Sequence, residues 1–192
     1  MASSKKILLH LEEPKAPPGS TLPVKWASFS QKYGEEHPSA VQESKLEIEG
    51  TGPVIYLNQD IAYLYTVMHS PGYTGNKAVL RMNLERKFAS MHWTSLLTQT
   101  LINLRDSDDD DSGADIEQLK EWEQEILKKW CLYIILEASN TDEAIEKLVD
   151  KVSSSAEFEI LIRDLSVSVE SFIKSYETLP RLVEHVGGIS DD

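Results

Sequence analysis

Cysteine occurs once in these 192 residues, at Cys131, so no disulfide can form within the chain. The thiol lies inside the apolar run Trp130-Cys131-Leu132-Tyr133-Ile134-Ile135-Leu136, which predicts a core position and suits a reducing compartment. Long hydrophobic runs are also missing. No stretch approaches the ~20 apolar residues that span a bilayer, and Ile7-Leu8-Leu9 is too short for the core of a secretory signal. A soluble, cytoplasmic protein without membrane contact is the expectation. Basic residues are scarce as well: 19 Lys and Arg stand against 32 Asp and Glu, a formal net charge of -13. Gripping a nucleic-acid backbone takes clustered cations, and the densest groups are only Lys5-Lys6, Lys77 to Lys87 and Lys128-Lys129. Direct nucleic-acid binding is therefore not expected. The acidic excess reads first as a solubilising surface, with an acidic face for a basic partner as its functional counterpart.

The common catalytic and metal motifs are absent too. No Gly-x-Ser-x-Gly elbow occurs, and Gly72-Tyr73-Thr74-Gly75-Asn76-Lys77 lacks phosphate-loop spacing and follows a helical pattern instead of a strand. Its amides at a helix start would at most hold an anion. The five histidines, His10, His37, His69, His92 and His185, share no close ligand spacing, so neither a metal nor a cofactor is expected. The acidic stretch Asp106 to Gly113 invites comparison with a calcium loop. With Gly113 in the sixth place, Asp108, Asp110 and Ser112 fall correctly, but the twelfth place is Leu119, which cannot ligate.

With 41% apolar residues, the chain can still bury a core of ordinary size. Two grammars divide it. Residues 1–57 hold six of the eight prolines and short extended runs, Lys6 to Leu11, Leu22 to Trp26 and Lys45 to Glu49. They predict a small antiparallel sheet or an extended arm, with Pro23 restricting its strand to an edge. Residues 58–192 turn helical, with an acidic loop at 106–114. Asn58 is a candidate cap for a helix over 59–69, and Asn76 for one reaching about Arg105. A third helix is expected from near Asp115 to Ala138, a fourth after Asn140 or Thr141, and a fifth after Ser154, whose face carries Phe158, Leu161, Leu165, Val169 and Phe172. The fold class is thus mainly α: a bundle of about five helices with a small β or extended N-terminal region, α+β being the alternative.

The long helix ending near Arg105 bears two apolar stripes on nearly opposite sides. One is Leu80, Leu84, Phe88 and Met91; the other is Trp93, Leu97, Leu101 and Leu104. Such a helix is buried on two faces, bends near His92, or meets another chain. The last option makes Trp93, Leu97, Leu101 and Leu104, with Trp26 as an aromatic anchor, the candidate partner-binding residues.

Arg86-Lys87-Phe88-Ala89-Ser90-Met91-His92 is the one stretch with catalytic character. An Arg followed by His within a helical domain resembles the motif of HEPN ribonucleases. The resemblance covers seven residues and implies that Arg86 and His92 from two protomers converge on one RNA phosphate. There an imidazole would move a proton while a guanidinium stabilises the phosphorane. Lys87 departs from the small polar residue or His usual after the arginine. In a straight helix, Arg86 and His92 also point about 120° apart. Without that motif, both residues read as ordinary surface and core-edge positions.

The leading expectation is therefore a non-enzymatic protein-interaction module, an adaptor or a regulatory or structural subunit with an acidic surface. Its partner would be a protein, a basic one by charge, or a second copy of the chain. The alternatives are the ribonuclease and an acidic inhibitor that imitates nucleic acid.

Overall fold

The computed structural model describes residues 22–50, 52–70, 75–107 and 114–173. The strand candidate Lys6 to Leu11, the residues from Asp108 to Gly113, and Tyr176 and His185 lie outside them. The chain is mainly α-helical with a small three-stranded sheet. Among the described residues, no helix is long and apolar enough to cross a membrane. The described residues gather into two compact units, 22–92 and 93–173.

The first unit is built on strands β1 (Val24–Ala27), β2 (Ser44–Glu49) and β3 (Gly52–Asn58), in the order β1-β3-β2. The sheet is mixed instead of purely antiparallel: β1 runs parallel to β3 and β2 antiparallel to it. As Pro23 requires, β1 is an edge strand, and the Pro23 carbonyl accepts from Ile55 N at 2.8 Å. The central strand β3 has no alternation, because every residue from Pro53 to Asn58 is buried. Such a run, covered on both faces, cannot be told from a helix by periodicity alone. Gly50, at φ +47°, supplies the left-handed backbone for the turn between β2 and β3.

One sheet face is covered by the short helix α1 (Phe29–Tyr33), where Phe29 packs with Val54 and Tyr56. Beside that core, lysines and tyrosines interleave with carboxylates. Lys32 Nζ lies 2.6 Å from Glu47 and 3.2 Å from the centre of the Tyr56 ring. Tyr33 donates to Glu47 at 2.6 Å while Lys45 sits 4.0 Å over the Tyr33 ring. Lys25 pairs with Glu49 at 2.6 Å, and Tyr56 also donates to Glu49. Burial and the neighbouring Glu47 carboxylate push the Tyr33 phenol up to about 12.

Helix α2 (Ala62–Met68) is shorter than the 59–69 expectation, and Asn58 does not cap it. The Asn58 amide instead donates to the Ala40 and Gln42 carbonyls at 2.9 Å each, tying β3 to the chain before β2. Helix α3 (Asn76–Asp106) is continuous and passes from the first unit into the second at His92-Trp93. Its first half is held to the start of β2 by a hydrogen bond of 2.9 Å between His92 Nε2 and Ser44 Oγ and by the ion pair Lys87–Glu43.

The second unit packs α4 (Glu121–Ile134), α5 (Thr141–Ser153) and α6 (Ser155–Ile173) with the second half of α3. The helix expected to begin near Asp115 is broken. Asp115 caps a single 3-10 turn, Ile116–Gln118, and α4 starts afresh after Lys120. Glu123 explains the restart: its buried carboxylate accepts from Lys120 N at 3.0 Å and from the Asn103 side chain of α3 at 2.6 Å. Asn140 caps α5 through Glu143 N, as its side chain suggests. The predicted α6 face is the buried one at Phe158, Leu161, Leu165 and Val169. Trp130 lies at the centre, with ring centroids 5.0 Å from Trp93, 5.9 Å from Tyr133 and 4.7 Å from Phe172. Its indole N–H finds no hydrogen-bond acceptor among the described residues.

Burial holds the His92 imidazole well below its usual range, at about 4, so it is neutral in the native state. The unfolded chain, with an ordinary histidine near pH 6.5, takes up the proton first as pH falls. The His92 contribution is complete above that pH and drains away down to about 4. Each tenfold difference in proton affinity between the two states is worth about 1.4 kcal/mol, so the expected loss is about 2 kcal/mol between pH 7 and 5. Urea unfolding at the two pH values measures it. His92→Gln, which cannot titrate, should flatten the difference.

Candidate interaction surface

Helix α2 turns Leu64, Val67 and Met68 inward and leaves Tyr63, Tyr65, Thr66 and His69 outside. The chain leading into it is pinned. The Asp60 carboxylate accepts from Ser30 N at 2.9 Å, Ser30 Oγ at 2.8 Å and Ser28 Oγ at 3.0 Å. The first of these bonds holds it below the usual carboxylate range.

On one flank of α2 three rings form a cluster in which Tyr65 and His69 are stacked and Trp26 meets them edge-on and tilted. Tyr65 and His69, one turn apart, have centroids 3.9 Å apart at 25°, and His69 Nδ1 donates to the Tyr65 carbonyl at 2.9 Å. The Trp26 ring of β1 meets them at 5.1 Å and 5.0 Å. On the other flank, Tyr63 and Lys87 of α3 both donate to Glu43. Lys87 first, then Tyr63, holds that carboxyl below its ordinary range. The outward face thus runs from an aromatic stack to an aromatic-capped ion pair, with Tyr65 47% and Tyr63 54% exposed.

The residues singled out from sequence are dispersed. Trp26 belongs to the cluster. Trp93, Leu97, Leu101 and Leu104 are buried within the second unit, the three leucines at 0% exposure, so their stripe is covered by the chain itself. His92 is 4% exposed and bonded to Ser44. Arg86 is half-buried on α3, six residues away, and the structure does not bring guanidinium and imidazole together on an open face. His92 with Ser44 has the spacing of a base and a nucleophile, but both are enclosed, which denies a substrate approach. Among the described residues, no group of three or more His, Cys, Asp or Glu side chains is placed to hold a metal ion. Tyr63, Tyr65 and His69 escaped the sequence reading. Their signal was present: a short helix spends Leu64, Val67 and Met68 on its core and has no inward place left for them.

No protein-family model, curated protein or solved structure matches the chain.

Because Tyr65 and His69 are outside the core, replacing both with Ala should cost about 1 kcal/mol, the worth of an aromatic pair. Leu64→Ala, at a fully buried position, should cost about 2–5 kcal/mol. Urea denaturation of the variants compares them.

Proposed function

We propose that this chain is a non-enzymatic protein-interaction module, an adaptor or subunit that docks a partner protein through the outward face of α2. The observation that carries this reading is the exposed stack of Tyr65 and His69 against Trp26. Tyr and Trp supply much of the energy at protein interfaces, because they bring large contact area with few rotors to freeze. Here the rings are already ordered by one another, by the His69–Tyr65 carbonyl bond and by the Asp60 network, which lowers the entropy lost on docking. The enclosure of His92 supports the reading from the other side, since it removes the one imidazole with a catalytic motif from solvent. The free, buried Cys131 thiol favours a cytoplasmic setting.

The test is affinity purification of the tagged full chain from its native source, beside the Tyr65→Ala/His69→Ala variant at matched thermal stability. A partner retained by the wild type and lost by the variant is the expected result. Equal retention by the two proteins would remove α2 from the interface.

A further inference from the structure

The net charge is not spread evenly. Residues 22–92 carry seven Lys and Arg and seven Asp and Glu, whereas residues 93–173 carry seven against nineteen. Almost the whole excess of -13 therefore belongs to the second unit. In the first unit the carboxylates Glu43, Glu47 and Glu49 are paired with lysines. In the second, one face of α5 has no such arrangement. Asp142, Glu146 and Asp150 recur at four-residue spacing, all are exposed, and among the described residues none is in an ion pair. Like charges at that spacing repel along a helix, and Asp150 in the last turn also opposes the helix dipole. The Asp142 and Glu146 carboxylates are exposed and so accessible to a cation supplied by another molecule.

Asp142 and Glu146, each three residues before an apolar residue of α5 (Ile145 and Val149), lie beside a groove. A cleft of about 330 Å³ lies between α4, α5 and the Ile116–Gln118 turn, with Ile116, Ile145 and Val149 in its lining. At about 100° per residue, Ile145 and Val149 point to the side of α5 shared by Asp142 and Glu146. Across the groove the turn adds Asp115 and Glu117, against the single ammonium of Lys128 among the lining residues. The size is that of a small binding pocket, about 300 Å³ or more, and its chemistry is aliphatic within and anionic at the border.

We infer that this groove is a docking site for a basic amphipathic segment of a partner protein, whose aliphatic side chains seat on Ile116, Ile145 and Val149 while its Lys or Arg residues meet the carboxylates. The inference rests on reading the chain as an interaction module but not on the α2 face. Charge complementarity selects the occupant: an acidic segment would be repelled by these carboxylates, and a neutral one would leave them unmatched.

Fluorescence anisotropy on the full chain tests it, with a labelled Leu/Lys peptide of amphipathic-helix spacing as the probe. Leu/Glu and Gly/Lys peptides of matched length are the controls. The Leu/Lys peptide should bind, more weakly at high salt. The variant Asp142→Lys/Glu146→Lys/Asp150→Lys alters only exposed side chains that are in no ion pair among the described residues, and should bind about tenfold more weakly. Ile145→Glu adds a negative charge yet should also weaken binding, because it spoils the apolar floor. Tyr65→Ala/His69→Ala should bind this probe unchanged, so failure here and failure of the α2 reading are told apart. Absence of binding, equal binding by the charge-reversed protein, or a Gly/Lys peptide binding as tightly as Leu/Lys would each overturn the inference.

Discussion

Helix α3 sets the constraint on which the remainder depends. It is one unbroken helix whose first half buries Leu84 and Phe88 and whose second half buries Leu97, Leu101 and Leu104. At about 100° per residue these side chains do not share a face, so no single neighbouring element can cover them all. The chain answers with two sets of elements. The first half is tied to β2 by His92–Ser44 and Lys87–Glu43; the second is enclosed with α4, α5 and α6. Burying His92 neutral is part of this answer, since a charged imidazole could not remain where α3 meets the sheet.

The two units also treat charge differently. In the first, ammonium groups are spent on carboxylates and tyrosine rings of the same unit, as Lys32 is between Glu47 and Tyr56. Among the described residues, Tyr63 and Tyr65 of α2 are its most exposed tyrosine rings. In the second, Glu143–Lys147 and Glu137–Lys151 pair, yet Asp142, Glu146 and Asp150 beside them form no ion pair among the described residues. On the proposed reading, the two units would offer different kinds of recognition, one aromatic and preformed, the other electrostatic over an aliphatic floor.

Much of the fold was legible in the residues. The α6 stripe, the Asn140 cap and the edge position of β1 follow from spacing, capping chemistry and Pro23. What was hidden depends on tertiary partners. Strand β3 lacks alternation because both its faces are covered, and no local pattern reports that. The break before α4 depends on Glu123 reaching Asn103, twenty residues earlier in the chain. The second stripe of α3 suggested a partner chain only because helices α4 to α6 could not yet be placed against it. The α2 face was legible only in part: Trp26 stood out, but that Tyr65 and His69 would pack against it depends on where β1 and α2 meet.

The ring cluster around Trp130 has an optical consequence. Trp93 and Trp130, with centroids 5.0 Å apart and both buried, are close enough to share excitation, so the helical unit carries a coupled, blue-shifted chromophore in its interior. Trp26, against the His69 imidazole, is a separate emitter in the sheet-containing unit. With Trp26 replaced by Phe, the remaining emission would come from the helical unit alone, Trp122 of α4 included, and its melting could be read without any attached dye.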